Sequence, residues 1–210
     1  MTSKMDEIFT DKKLIDKVKK RLPQLFQLAE NESSRAGKIG MEIGSVRERI
    51  IIALLMHKFG MKEVNAVIPI TEKEEDVLIV NEPISIKTIT GLGGVKLIWT
   101  VDADKAKQFL EKYRPTIGII LVVINWGGKG GLYYIPKEVQ KRIYKRLGRH
   151  NYMKLPKAGT NPRGVELSKK ALLALIEDKG TKSIEVDWIR KDNEVPFDPY
   201  KKWLLYWEEE

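Results

Sequence analysis

The sequence predicts an α/β protein in which a central mixed β-sheet is flanked by helices. Three observations predict it. The run TIGIILVVIN at 116–125 is apolar and β-branched along its length, the pattern of a strand buried on both faces. Segments with apolar residues at three-and-four spacing precede and follow it. Shorter β-rich stretches lie between those segments, so helices and strands interleave rather than segregate. With 210 residues, 42% of them hydrophobic and 32% charged, the chain suffices for one packed domain.

The elements follow in order. Leu14, Ile15, Val18, Leu22, Leu25 and Phe26 predict a helix over 11–29, with Pro23 as a point of kinking or division. The stretch NESSRAGKIGMEIGS is glycine-rich and polar and reads as a loop. Ser45, with Glu48 three residues on, matches a capping box for a second helix, which Gly60 ends. Strands are expected at 64–70, 77–80 and 84–89, the last two joined by an Asn81-Glu82-Pro83 turn, and at 96–101. Asp102 caps a helix through Tyr113 that stops before Pro115. After the apolar strand, 127–131 reads as a turn and 132–135 as a short strand. Pro136 opens a basic helix ending near Gly148, and Ser168 opens another ending before Gly180. A late strand at 183–190 and a C-terminal helix at 200–207 complete the set. Trp126, beside Gly127-Gly128, is expected to be exposed, whereas the other tryptophans read as core or dimer contacts. His57 is expected at the core edge, and it and His150 read as structural.

Composition excludes several classes of function. No cysteine is present, which rules out disulfide frameworks and thiolate metal sites. No 18-residue apolar run exists and the N-terminus lacks a signal-peptide core, so a soluble, cytoplasmic protein with no membrane partner is expected. The charge of +9 is concentrated. Between Lys137 and Lys170 lie eleven basic residues against two acids, which leaves the remainder near neutral. Such a stretch is the electrostatic footprint of a polyphosphate partner.

The segment EEDVLIVNEPISIKT is where chemistry enters. If Asn81-Glu82 form a two-residue hairpin loop, Asp76 lies directly opposite Lys87 with Cβ atoms ~5 Å apart, and Ser85 shares their face. An ordinary cross-strand ion pair accounts for this pattern. So does a metal site, in which Asp76 binds a hard divalent cation and Lys87 orients a water or stabilises phosphoryl charge. A second acid is needed, and Glu48 supplies one at the polar start of a helix that is otherwise apolar over 50–56. From the residues alone Glu48 is either a cap or a ligand.

The order Glu48, Asp76, Ser85-Ile86-Lys87 resembles the PD-(D/E)XK nuclease superfamily, in which an Asp starts one strand and acid-x-Lys lies on the next. Two departures stand out: no Pro precedes Asp76, and Ser85 holds the usual second acid position. With GKIGMEIGS ahead of Glu48, the spacing is similar to that of the restriction endonuclease ThaI family over most of the chain. The resemblance implies a restriction-endonuclease-like fold and residues 1–210 as a single nuclease domain. Within it, 1–44 would be a helical, DNA-contacting region, 45–135 the catalytic core and 136–210 the basic recognition region with the C-terminal elements. It implies a Mg2+-dependent homodimer that cuts double-stranded DNA at CGCG to blunt ends and leaves 5′-phosphates. A cognate DNA methyltransferase is the expected functional partner. Carried over, Asp76 and Glu48 bind magnesium, the Ile86 carbonyl adds a backbone ligand, Lys87 orients the attacking water, and Ser85 at most supports the site through water. Glu177-Asp178-Lys179 also reads as acid-x-Lys, but it follows the apolar helix ALLALI with no strand Asp before it, so it reads as a decoy.

For DNA recognition, Met41 and Lys38 lie on the glycine-rich stretch just ahead of Glu48. Met41 is either a wedge between base steps at a flexible pyrimidine–purine step or a core side chain. Thr160, Asn161 and Arg163, in GTNPRGVELS, offer base-edge contacts, Arg163 to guanine, or else form an Asn-Pro turn. Arg142, Lys145, Arg146 and Arg149 are read as phosphate contacts. Two alternatives stand beside this reading. One is a junction-resolving or repair nuclease on the same fold. The other is a basic, non-enzymatic DNA- or RNA-binding protein.

Overall fold

The structure is a computed structural model that describes residues 4–35, 38–39, 42–68, 74–98, 100, 102–155 and 164–191, with backbone alone at 35, 38 and 39. Within these, the elements in chain order are α1 (Asp6–Thr10), α2 (Lys12–Glu32), β1 (Ser34–Arg35), β2 (Lys38–Ile39), α3 (Ile43–Phe59), β3 (Val64–Asn65), β4 (Val77–Ile79), β5 (Glu82–Thr90), β6 (Val95–Ile98) and α4 (Ala103–Lys112). Then come β7 (Gly118–Ile124), β8 (Gly128–Ile135), α5 (Lys137–Leu147), α6 (Arg149–Tyr152), β9 (Met153–Lys154), β10 (Val165–Leu167), α7 (Lys169–Ile176) and β11 (Lys182–Trp188). The main sheet is mixed and six-stranded, in the order β11-β8-β7-β5-β4-β3, and a smaller sheet runs β6-β10-β9. The expected α/β class is the observed one. The expected helix at 200–207 lies outside the described residues.

The parallel pair β5–β7 forms the centre, with Ile84 against Gly118 through Thr90 against Ile124. Every residue of β7 is buried, as its unbroken apolar run predicts for a strand covered on both faces. Alternation then divides the core. Ile84, Ile86, Ile120, Val122 and Ile124 pack toward α1, α2 and α3. Ile89, Ile119, Leu121 and Val123 pack toward α4, α5 and α7.

Helix ends follow their sequence signals where a capping side chain or glycine is present. Asp102 accepts from the backbone of Asp104 and Lys105, Ser168 from Ala171, and Asp11 from Leu14. Gly60 and Gly148 end α3 and α5 with φ of 91° and 73°. Helix α2 is continuous through Pro23, because the buried stripe Leu14, Val18, Leu22, Phe26 and Ala29 packs on both sides of the lost hydrogen bond.

Several expectations change. The stretch read as a loop holds the short antiparallel pair β1–β2, Ser34 against Ile39 and Arg35 against Lys38. Ser45 is not the cap of α3: the helix starts at Ile43 after Glu42, and no side chain caps it. The strand expected at 64–70 is only Val64–Asn65 as far as residues are described. Residues 128–131 are strand rather than turn. A Cβ on Gly130 would lie 2.1 Å from the Val123 carbonyl and 2.6 Å from Trp188 Nε1, so glycine here admits the buried Trp188 instead of bending the chain. Trp126 is not the exposed exception, since it packs edge-on against Trp188 and donates its indole N–H to Glu30 at 2.8 Å. His57 is exposed and lies 2.8 Å from Lys17 Nζ.

The hairpin carries the most consequential correction. Its two-residue turn is Val80-Asn81, with φ of 48° and 66°, not Asn81-Glu82. Pairing is therefore Val77–Ile84, Leu78–Pro83 and Ile79–Glu82, and the same register carried one step further sets Asp76 against Ser85 rather than Lys87. The slip moves each partner by two residues, so it preserves which face each side chain occupies. Lys87 becomes the diagonal neighbour of Asp76, still within reach of a long side chain.

Candidate active site

β5 outruns its neighbour. β4 pairs with it only as far as Ile84, while β5 continues to Thr90. Within a strand, a residue's N–H and C=O point to the same side, and alternate residues point oppositely. The Asp76 N–H donates to the Ile84 carbonyl at 3.0 Å. The Ile86 N–H, next on that side, is taken at 2.6 Å by the Asp76 carboxylate rather than by a strand. The Ile86 carbonyl therefore also faces the open side beyond the end of β4.

Three donors converge on Asp76 Oδ2: the Ser85 hydroxyl at 3.0 Å, the Ile86 N–H at 2.6 Å and Lys87 Nζ at 3.2 Å. Ser85 is 3% exposed and acts directly, not through water. Its hydroxyl stands where an acid was expected. A carboxylate there would set two like charges in contact, whereas a hydroxyl donates to the one already present.

Glu48 comes from the opposite face of the sheet, on the first turns of α3. It lines a cleft of about 460 Å³ with Gly44, Ile86, Lys87, Thr88 and Leu97. Burial raises its carboxyl above the ordinary value, the charge of Asp76 raises it further, and Lys87 and Arg49 oppose both. The capping alternative for Glu48 thus gives way to a place beside Asp76 and Lys87.

Glu74 was not found from the sequence. Burial pushes its carboxyl up to about 7, against the pull of Lys87. Its charge adds to burial in raising the Tyr152 phenol, and to burial and Tyr152 in raising that of Tyr113. The one available signal was its place two residues ahead of Asp76 in the acidic run EKEED.

Among the described residues, no set of three or more His, Asp or Glu side chains gathers as a metal site. Magnesium does not require one, because it commonly binds one or two carboxylates and keeps several waters. Asp76, Glu48 and the Ile86 carbonyl are hard oxygen donors. The Glu48 carboxyl is raised first by burial and then by the charge of Asp76, and a cation held by both acids would oppose both. The donor set fits the ion.

The acid-x-Lys sequence at 177–179 has no such setting. Asp178 follows α7, accepts from Gly180 N–H and pairs with Arg142 of α5. Lys145 and Arg146 are exposed in the last turn of α5, and Arg149 Nε lies 3.4 Å from the Tyr144 hydroxyl. Lys38 is in β2, with its side chain outside the described residues, as are Met41, Thr160, Asn161 and Arg163. No helix among the described residues is long and apolar enough to cross a membrane.

A family model described as restriction endonuclease ThaI matches residues 8–209. A solved structure described as a restriction endonuclease in complex with substrate DNA aligns with a TM-score of 0.91 at 54% identity, over 99% of this chain and 100% of that one. No curated protein matches the chain.

Proposed function

The chain belongs to the restriction endonuclease ThaI family, and from that premise we propose a Mg2+-dependent enzyme that hydrolyses double-stranded DNA at CGCG, leaving blunt ends and 5′-phosphates. It is a type II site-specific deoxyribonuclease. The observation that carries its chemistry is the convergence of Ser85, Ile86 and Lys87 on one oxygen of Asp76, in the cleft that Glu48 enters.

Asp76, Glu48 and the Ile86 carbonyl would hold the ion, which when bound supplies Lewis-acid stabilisation of phosphoryl charge and lowers the pKa of water. Asp76 is held as an oriented carboxylate by its three donors. Lys87 is fixed by Asp76 with further protons to spare, so it donates to the attacking water and to the phosphoryl oxygens on which charge develops. Ser85 positions Asp76 and carries no charge of its own.

A palindromic target calls for a two-fold symmetric enzyme, so the protein acts as a homodimer. Arg142, Lys145, Arg146 and Arg149 contact phosphates. Lys38, Thr160, Asn161 and Arg163 complete the DNA surface, with Arg163 reading guanine, and Met41 wedges at the CG step. The functional partner is a methyltransferase that protects the same palindrome. Digestion of two plasmids that differ by a single CGCG tests this: one extra blunt cut is expected, and identical patterns would remove the assignment. Loss of cutting with intact binding in Met41→Ala is expected of the wedge, and unchanged cutting would remove it.

Proton and metal compete at Glu48. Its raised carboxyl holds a proton to higher pH than a free glutamate, so falling pH weakens metal binding. The magnesium concentration for half-maximal cleavage is expected to fall as pH rises through the range in which the raised Glu48 carboxyl loses its proton. A half-maximal concentration independent of pH would contradict this placement of Glu48.

A further inference from the structure

Helix α3 delivers Glu48 to the cleft, yet its first turn has no capping side chain, and its deep contacts Ile51, Ile52 and Leu55 are aliphatic. Hydrophobic burial is non-directional, whereas an ion pair fixes which polar group a side chain meets. Glu48 and its neighbour Arg47 are ~100° apart around that axis. A carboxylate ~6 Å from the axis moves ~1 Å for a rotation of ~10°.

Arg47 ties α3 to α2. Its side chain is 6% exposed and its Nη2 donates to Glu30 Oε1 of α2 at 2.6 Å, with Glu30 itself 3% exposed. Glu30 is immobilised in turn. Oε1 also accepts from Trp126 Nε1 at 2.8 Å, and Oε2 accepts from Arg190, whose guanidinium lies 4.2 Å from the Trp126 ring centroid. The anchor therefore joins α2, the β7–β8 turn and the end of β11 to the residue beside Glu48. A buried ion pair is a weak source of net stability but a strongly directional one.

We propose that Arg47 is a positioning residue for magnesium binding: held by Glu30, it fixes the rotation of α3 that points Glu48 at Asp76. This rests on the reading of Glu48 as a magnesium ligand. Glu30 keeps Trp126 and Arg190 when Arg47 is lost, so Arg47→Met removes the anchor without leaving an unpartnered buried acid.

The test measures single-turnover cleavage of a CGCG duplex against magnesium concentration for the wild type, Arg47→Met, Arg47→Lys and Glu48→Gln. Thermal unfolding and metal-free DNA affinity are recorded for each. In Arg47→Met the half-saturating magnesium concentration is expected to rise about tenfold or more, with metal-free DNA affinity unchanged. Arg47→Lys keeps the ion pair and is expected to recover most of the wild-type requirement. An unchanged magnesium requirement in Arg47→Met, or an equal defect in Arg47→Lys, would overturn the proposal. If Arg47→Met does not fold, Arg47→Gln, which removes the charge but leaves Glu30 a polar neighbour, replaces it with a rise expected in the same direction. Glu48→Gln separates the two levels. Wild-type magnesium dependence in Glu48→Gln defeats the ligand reading itself, whereas a defect there with none in Arg47→Met defeats only the anchor.

Discussion

Asp76→Ala is expected to lower the cleavage rate about 10³-fold or more, while the protein stays folded and still binds DNA. The size follows from what the side chain does. It is the acceptor for three donors at 2.6–3.2 Å and the central acid of the proposed metal site. Loss of a catalytic metal's main ligand removes several kcal/mol of transition-state stabilisation, and about 4 kcal/mol is already 10³-fold. Stability is expected to fall by about 1–3 kcal/mol, because alanine leaves the Ser85 hydroxyl and the Ile86 N–H without their acceptor, a cost that relief of Glu48 offsets in part. Asp76→Asn keeps the shape and one acceptor oxygen but not the charge, so it should be nearly as inactive. Single-turnover cleavage beside metal-free binding measures both. An alanine variant within tenfold of the wild type would mean that the chemistry lies elsewhere.

The largest stability effect is expected at Gly130. The methyl of Gly130→Ala would sit 2.1 Å from the Val123 carbonyl and 2.6 Å from Trp188 Nε1. Neither neighbour can yield cheaply. The first is backbone of β7, and the second belongs to a tryptophan with no exposed surface. Because β8 lies between β7 and β11, the strain spreads to both pairings. A cost of about 3 kcal/mol or more follows, which lowers the melting temperature by roughly 6–12 °C for a chain of this size. Gly44→Ala is the control. It lies in a helix with open space around its Cβ position, and it should raise stability by about 0.5–1 kcal/mol. Equal melting temperatures for the two variants would refute the packing account of the glycine run.

These two sites also show how far the sequence could be read. Local signals were legible: the apolar run of β7, the capping by Asp102 and Ser168, and the stops at Gly60 and Gly148 each depend on residues a few positions apart. The contact between Asp76 and Lys87 was legible because a two-residue slip in the hairpin leaves the faces unchanged. The register itself was not. It depends on Val80, a β-branched residue, adopting φ of 48°, against its own preference. Glycines 128, 130 and 131 were misread because the same residue type serves turns and tight packing, and Trp188 lies 58 residues beyond Gly130. The network on Glu30 joins residues 17, 96 and 160 positions apart, beyond any local pattern. Glu74 carried no local signal beyond the acidic run, because its half-buried place within reach of the Lys87 charge is set by the fold.

Asp76, Lys87 and Glu48, and not the second acid-x-Lys sequence, are proposed to form the cutting centre. Plasmid digestion with Mg2+ by the wild type, Asp76→Asn, Lys87→Met, Glu48→Gln and Glu177→Gln tests it most directly. Discrete blunt fragments are expected from the wild type and from Glu177→Gln, and none from the other three over the same time. Full cutting by Asp76→Asn or Lys87→Met, or loss of cutting in Glu177→Gln alone, would contradict it.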